Sequence, residues 1–67
     1  MPPDAAAPAV SIVIPTFNEA AGIGPLLDYL RREAAGDGPL EIIVADGGST
    51  DATRDRAAQA GARVLRC

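Results

Sequence analysis

Leu40-Glu-Ile-Ile-Val-Ala-Asp46-Gly-Gly-Ser-Thr-Asp51 is an apolar run that ends on a carboxylate and breaks into a glycine turn. Residues 40–45 are nearly all aliphatic, which predicts a short strand of the buried type. Asp46 closes the strand, and Gly47 and Gly48 predict a tight turn with positive φ. Ser49 or Thr50 is placed to cap a second helix, with Asp51 in its first turn, where the helix dipole favours an anion. That helix is expected to run to about Ala60 with Gly61 as its cap, before residues 62–65 start a third strand.

Upstream, residues 10–14 (Val-Ser-Ile-Val-Ile) have the same character and predict a first strand covered on both faces. Pro15 should end it, because proline has no N–H for a sheet ladder. Ile23, Leu26, Leu27, Leu30 and Ala34 make one apolar stripe at helical spacing. Pro25 suits only a first turn, so the helix is expected to start around Gly24. Gly36-Asp37-Gly38-Pro39 is a chain-breaking turn. Residues 1–9, rich in Pro and Ala, bury too little to offset their ordering entropy and are expected to form a loose tail.

Strand, helix, strand, helix, strand is the pattern of an α/β unit with a three-stranded parallel sheet joined by right-handed crossovers. Parallel sheets need cover on both faces, and two helices cannot supply it. Residues 10–67 therefore read as the N-terminal portion of a larger, truncated domain.

Composition narrows the function classes. The chain has 67 residues, a net charge of −3, and arginine as its only basic residue. An acidic chain with scattered arginines is drawn neither to nucleic acid nor to an anionic membrane. Cys67 is alone, so no internal disulfide exists. No segment approaches the roughly 20 apolar residues of a membrane span. The N-terminus lacks the pattern of a secretory signal. The cytoplasm is the expected compartment, and a membrane-associated full-length form stays compatible with it.

In open parallel sheets, ligands bind outside the carboxyl ends of the strands. Two such ends carry polar residues here: Pro15-Thr16-Phe17-Asn18-Glu19 and the Asp46 turn. Neighbouring strands lie ~4.8 Å apart, so the two loops should be adjacent. Other nucleotide motifs do not fit. A dinucleotide fingerprint needs Gly-x-Gly-x-x-Gly directly after the first strand, whereas Gly22 and Gly24 come late and Leu27 takes the third place. A P-loop needs a lysine, and there is none. A phosphatase of the haloacid-dehalogenase type would show Asp-x-Asp, but Gly48 stands two places after Asp46.

Ser11-Ile-Val-Ile-Pro-Thr-Phe-Asn-Glu19, a helix and turn, and then Glu41-Ile-Ile-Val-Ala-Asp-Gly-Gly-Ser-Thr-Asp51 together resemble the opening of family 2 glycosyltransferases. The resemblance implies a partial Rossmann-like βαβαβ unit of the GT-A fold. It also implies binding of the nucleotide part of a nucleotide-diphosphate sugar, with UDP the first choice. Pro15, Thr16 and Phe17 would shape the pocket for base and ribose. Glu19 would approach the ribose or base edge, and Asp46 would accept a hydrogen bond from a base N–H. Gly47 stands where the family commonly has a second Asp, which leaves the donor open.

The family's Asp-x-Asp metal motif and its catalytic base belong to later parts of its domain. The resemblance therefore assigns no catalytic residue and no metal ligand to this chain. Mg or Mn is expected for the full-length family, and the implied partner is the missing C-terminal half of the catalytic domain. The chain alone is expected to transfer no sugar. An alternative reading is an inactive truncated remnant or a small non-catalytic nucleotide-binding module.

Overall fold

The computed structural model describes residues 10–34 and 39–67. The expected N-terminal tail and most of the expected turn before Pro39 lie outside the described residues. The elements run β1 (Val10–Thr16), α1 (Ala20–Glu33), β2 (Leu40–Asp46), α2 (Thr53–Gln59) and β3 (Arg63–Arg66). They form one parallel three-stranded sheet in the order β1-β2-β3. The expected α/β unit is therefore present, with Thr16 beside Asp46 and Asp46 beside Arg66 at the carboxyl ends.

Both crossovers move the chain the same way across the sheet, so right-handed connections place both helices on one face. The core confirms this. Ile23 and Leu27 of α1 and Ala57 of α2 pack with Ile42 and Val44, and Ile14, Leu40 and Val64 lie against them. All five strand residues have even numbers, as the two-residue period of a strand requires. Odd-numbered positions point the other way: Val13 is 61% exposed and Leu65 45%. The expectation that the first strand is covered on both faces is corrected here. Its apolar sequence is that of a doubly covered strand, but both helices lie on a single side.

Pro15 does not end β1; it pairs with Ala45 inside it. The ladder explains why. The Val10 N–H donates to the Pro39 carbonyl, and the Thr16 carbonyl accepts from Gly47 N–H. Alternate residues of a parallel strand bond to the same neighbour, so even-numbered β1 residues face β2. The absent N–H of Pro15 falls on the open edge, where it leaves no gap in the ladder.

Helix α1 starts at Ala20, a turn earlier than Pro25 suggested, and keeps Pro25 inside it. Helix α2 starts at Thr53, later than a Ser49 or Thr50 cap would give. Its end is as expected: Gly61 has φ +87, its N–H donates to the Ala58 carbonyl, and the Ala62 N–H donates to that of Ala57.

The two turn glycines differ. Gly48 has φ +97, a conformation that side chains with a Cβ resist, whereas Gly47 is not in the positive-φ region. A Cβ on Gly47 would meet nothing closer than the Thr16 carbonyl at 3.5 Å, an ordinary contact. The expectation of positive φ at both glycines holds at Gly48 alone. Gly48→Ala is expected to cost about 1–2 kcal/mol in urea unfolding. Gly47→Ala should be neutral or stabilise by up to about 1 kcal/mol through the unfolded state. Equal losses at both positions would contradict this assignment.

Candidate functional site

The carboxyl ends of β1 and β2 bring the two polar loops together, and Asp46 lies at their centre. Its side chain is 0% exposed. One carboxylate oxygen accepts from the Thr16 hydroxyl at 2.9 Å and the Ser49 hydroxyl at 2.5 Å. The other accepts from the Gly48 N–H at 3.0 Å, the Ser49 N–H at 2.8 Å and Arg54 Nη1 at 3.0 Å. The Ser49 hydroxyl does most to hold this carboxyl well below the usual carboxylate range. Burial opposes it, and the Ser49 N–H, the Thr16 hydroxyl and the Gly48 N–H add to the lowering.

Five donors saturate a group with about four lone-pair sites. The carboxylate that the sequence marks as an acceptor for a base N–H is thus bonded to five protein donors in this structure. Thr16 is similarly committed: it is buried, its hydroxyl serves Asp46, and its carbonyl serves Gly47.

Around this centre the loops are laced together. Three successive amides of the first loop donate to side chains of the second. Asn18 N–H reaches the Ser49 hydroxyl at 2.8 Å, Glu19 N–H reaches Thr53 Oγ1 at 2.8 Å, and Ala20 N–H reaches Asp51 at 3.2 Å. In return the Asn18 side-chain carbonyl accepts the Thr50 N–H at 2.8 Å. Asn18 has φ 52, a conformation asparagine tolerates better than most residues. Thr53 also donates its hydroxyl to Asp51, whose other bonds come from the Thr53 and Ala20 amides. That hydroxyl leads in lowering the Asp51 carboxyl below its ordinary value, against desolvation and with help from the two amides.

The start of α1 is thus capped by Asp51 and Thr53 at the distant entry of α2, and α1 has no side-chain cap of its own. A helix N-terminus attracts phosphate when its N–H groups are free. Here a carboxylate already lies against it.

What faces solvent is Phe17, 59% exposed, together with Pro15, Glu19 and Gly47. A cavity of about 310 Å³ opens where β1 meets the first turn of α1, lined by Pro15, Thr16 and Glu19 over Ile14, Ile23 and Leu26. Three of the five sequence-derived site residues line it; Phe17 and Asp46 do not. The Glu19 carboxylate lies over this turn, 3.9 Å from where a Cβ on Gly22 would stand.

Thr53 and Arg54 escaped the sequence reading. The one usable signal was an excess of hydroxyl and carboxylate groups in residues 49–53 beyond what one helix cap needs. Among the described residues, no group of three or more His, Cys, Asp or Glu side chains is arranged to hold a metal ion. No described helix is long and apolar enough to cross a membrane.

Comparison with known proteins gives the frame for this site. Residues 11–67 match the family model described as glycosyl transferase family 2. A PGL/p-HBAD biosynthesis glycosyltransferase of Mycobacterium tuberculosis is 50% identical over 50 residues, which is 75% of this chain and 19% of that protein. The glycosyltransferase AglJ of Haloferax volcanii is 46% identical over 57 residues, 85% of this chain and 18% of its own length.

Among solved structures, glucosyl-3-phosphoglycerate synthase of M. tuberculosis superposes with a TM-score of 0.73 at 42% identity. The match covers 91% of this chain and 22% of the synthase, whose crystals contain Mn2+, UDP and glucosyl-3-phosphoglycerate. Another crystal of the synthase contains UDP-glucose. The chain spans about a fifth of the length of these relatives. With the family model matched over residues 11–67 and the parallel βαβαβ unit in place, the chain belongs to glycosyl transferase family 2 and carries part of its GT-A fold.

Proposed function

We propose that this chain forms the nucleoside-binding half of the donor site of a sugar transferase using a nucleotide-diphosphate sugar, with UDP as the nucleotide. The observation that carries this reading is the lacing of the two strand-end loops into one unit, with Phe17 and Glu19 exposed at its rim. Such a unit is organised before any ligand arrives, so little ordering entropy opposes binding.

In this reading Phe17 offers its ring as a platform for the base. Pro15 and the backbone at Thr16 shape the wall of the cleft. Glu19, an acceptor-only carboxylate, takes hydrogen bonds from ribose hydroxyls. Asp46 moves from reader of the base to the group that holds both loops in place. The Gly47 carbonyl, on an exposed residue free of a side chain, is left to meet the base edge, since the Gly47 N–H serves Thr16. The similarity to a synthase crystallised with UDP supports the choice of nucleotide.

The divalent metal, the sugar-transfer step and the acceptor belong, on this proposal, to parts of the domain outside this chain. When bound there, the metal would offset charge on the departing diphosphate. The residues described here supply no ligand set for it.

A test follows from the charges. The start of α1 is taken by Asp51 and Thr53, and Arg54 is paired to Asp46, so neither offers a prepared phosphate site. Uridine and UDP are therefore expected to bind this chain weakly and within about threefold of each other. Amide shifts in an NMR titration should be confined to residues 16–19 and 47–48. No shift there at millimolar nucleoside would overturn the reading. UDP binding far tighter than uridine would instead reveal an anion site, with Arg54 the first residue to test.

A further inference from the structure

We propose that Thr53, a fully buried residue of α2, is a positioning residue that sets the shape of the 17–19 loop at the rim of the cleft. The inference rests on the nucleoside reading only for its binding consequence. The geometry itself stands on the hydrogen bonds between the loops.

A threonine hydroxyl has one proton to donate and two lone pairs. Here the proton goes to Asp51, which fixes the rotation of the hydroxyl. Its lone pairs are then turned toward the Glu19 N–H at 2.8 Å. Asp51 uses its second oxygen for the Ala20 N–H. The relay runs from Asp51 through Thr53 to Glu19 and joins α2 to the entry of α1. Ser49 links the adjacent Asn18 N–H to Asp46.

Of the three accepting side chains only Asp51 also serves α2, through the N–H of its first residue, Thr53; the hydroxyls of Ser49 and Thr53 accept nothing from that helix. That helix has Ala52 at its N-cap and no side-chain cap bond. Thr53 is 0% exposed and cannot itself touch a ligand in the cleft. Its buried hydroxyl is therefore explained by the first loop. Without it, Glu19 N–H loses its acceptor, and Asn18 has less to hold its positive φ.

The deciding experiment is residue-resolved amide hydrogen exchange by NMR on the 67-residue chain without ligand. Thr53→Val keeps the volume and removes the hydroxyl. Exchange at Glu19 and Ala20 is expected to rise about tenfold or more relative to the β2 amides, as local opening replaces a protected bond. Thr53→Ser keeps the hydroxyl and should stay within about threefold of wild type. An equal rise throughout β2 would mean general destabilisation, and an unchanged Glu19 would mean no coupling; either overturns the inference. Should Thr53→Val fail to fold, Asp51→Ala decides instead. Asp51 is exposed, so its loss spares the core, but it takes the acceptor from the Ala20 and Thr53 amides directly. A role passed through the Thr53 hydroxyl is therefore read at the Glu19 amide alone, where a rise supports the inference and no change overturns it.

A second arm titrates uridine into wild type and Thr53→Val, with weaker binding by about tenfold expected for the variant. If wild type binds no uridine, the nucleoside reading fails while the exchange result still decides the role of Thr53. If both proteins bind equally, the nucleoside reading stands and the positioning role falls.

Discussion

Asp46→Ala is expected to abolish cooperative thermal unfolding, whereas Asp46→Asn is expected to leave a folded protein of reduced stability. Alanine removes the acceptor of five hydrogen bonds at once. The buried Ser49 N–H and the hydroxyls of Thr16 and Ser49 would be stranded without water to replace the carboxylate. A single core of this size rarely supplies more than about 3–5 kcal/mol, so the loss falls on a small reserve.

Asparagine is gentler for a specific reason. Its oxygen can take the place that accepts the Gly48 and Ser49 amides, and its NH2 can face the two hydroxyls. Those hydroxyls can turn to accept instead of donate. What asparagine cannot replace is the charge opposite Arg54.

The same cluster fixes the response to acid. Asp46 and Asp51 both titrate below their ordinary values in the folded chain. A carboxyl with a depressed folded pKa contributes its stability above the unfolded value of about 3.9 and loses it as pH falls toward the folded value. Stability should therefore be level from neutral pH to about 5 and decline below about 4. Asp46→Asn, followed by far-UV circular dichroism, should show a shallower decline, with Asp51 supplying the remainder. An acid profile identical to wild type would remove Asp46 from the centre of the cluster.

The order of elements and the parallel pairing were legible because they depend on local composition. Val10-Ser-Ile-Val-Ile14 and Leu40-Glu-Ile-Ile-Val44 are strands by side-chain type, and Ile23, Leu27 and Leu30 form a stripe at helical spacing. The start of α1 was not legible. Its caps, Thr53 and Asp51, lie more than 30 residues away along the chain. The local sequence around Pro25 therefore argued for a later start, and tertiary contact overrode it.

Val13 shows a second kind of limit. Its type is that of a covered residue, yet its exposure depends on which side the crossovers fall, which no single strand encodes. Asp46 shows a third. The sequence marks a carboxylate at a strand end, where ligands gather, but cannot say how many protein donors reach it first. Here Thr16, Gly48, Ser49 and Arg54 do so.

Phe17→Ala should weaken uridine binding by about 1–3 kcal/mol, or roughly 5- to 150-fold, while barely changing thermal stability. The two halves of this expectation come from one observation. A ring 59% exposed contributes little to the core, so its removal leaves Ile23, Leu27 and Val44 packed as before. The same exposure leaves its face free to stack, and a base gains from an aromatic partner whatever its hydrogen-bonding edge.

Two further variants separate stacking from simple apolar contact. Phe17→Tyr keeps the ring and should bind within about threefold of wild type, whereas Phe17→Leu keeps much of the apolar area but not the π face and should resemble alanine. If leucine binds like phenylalanine, Phe17 is an apolar wall and not a platform. If alanine binds like wild type, the base lies elsewhere, and the cavity beside Glu19, lined by Pro15, Ile23 and Leu26, becomes the place to look. Specificity then has to come from other atoms. Stacking on Phe17 accepts any base, so discrimination of uracil falls to hydrogen bonds accepted by the exposed backbone carbonyls of Gly47 and Gly48, whose N–H groups already serve Thr16 and Asp46.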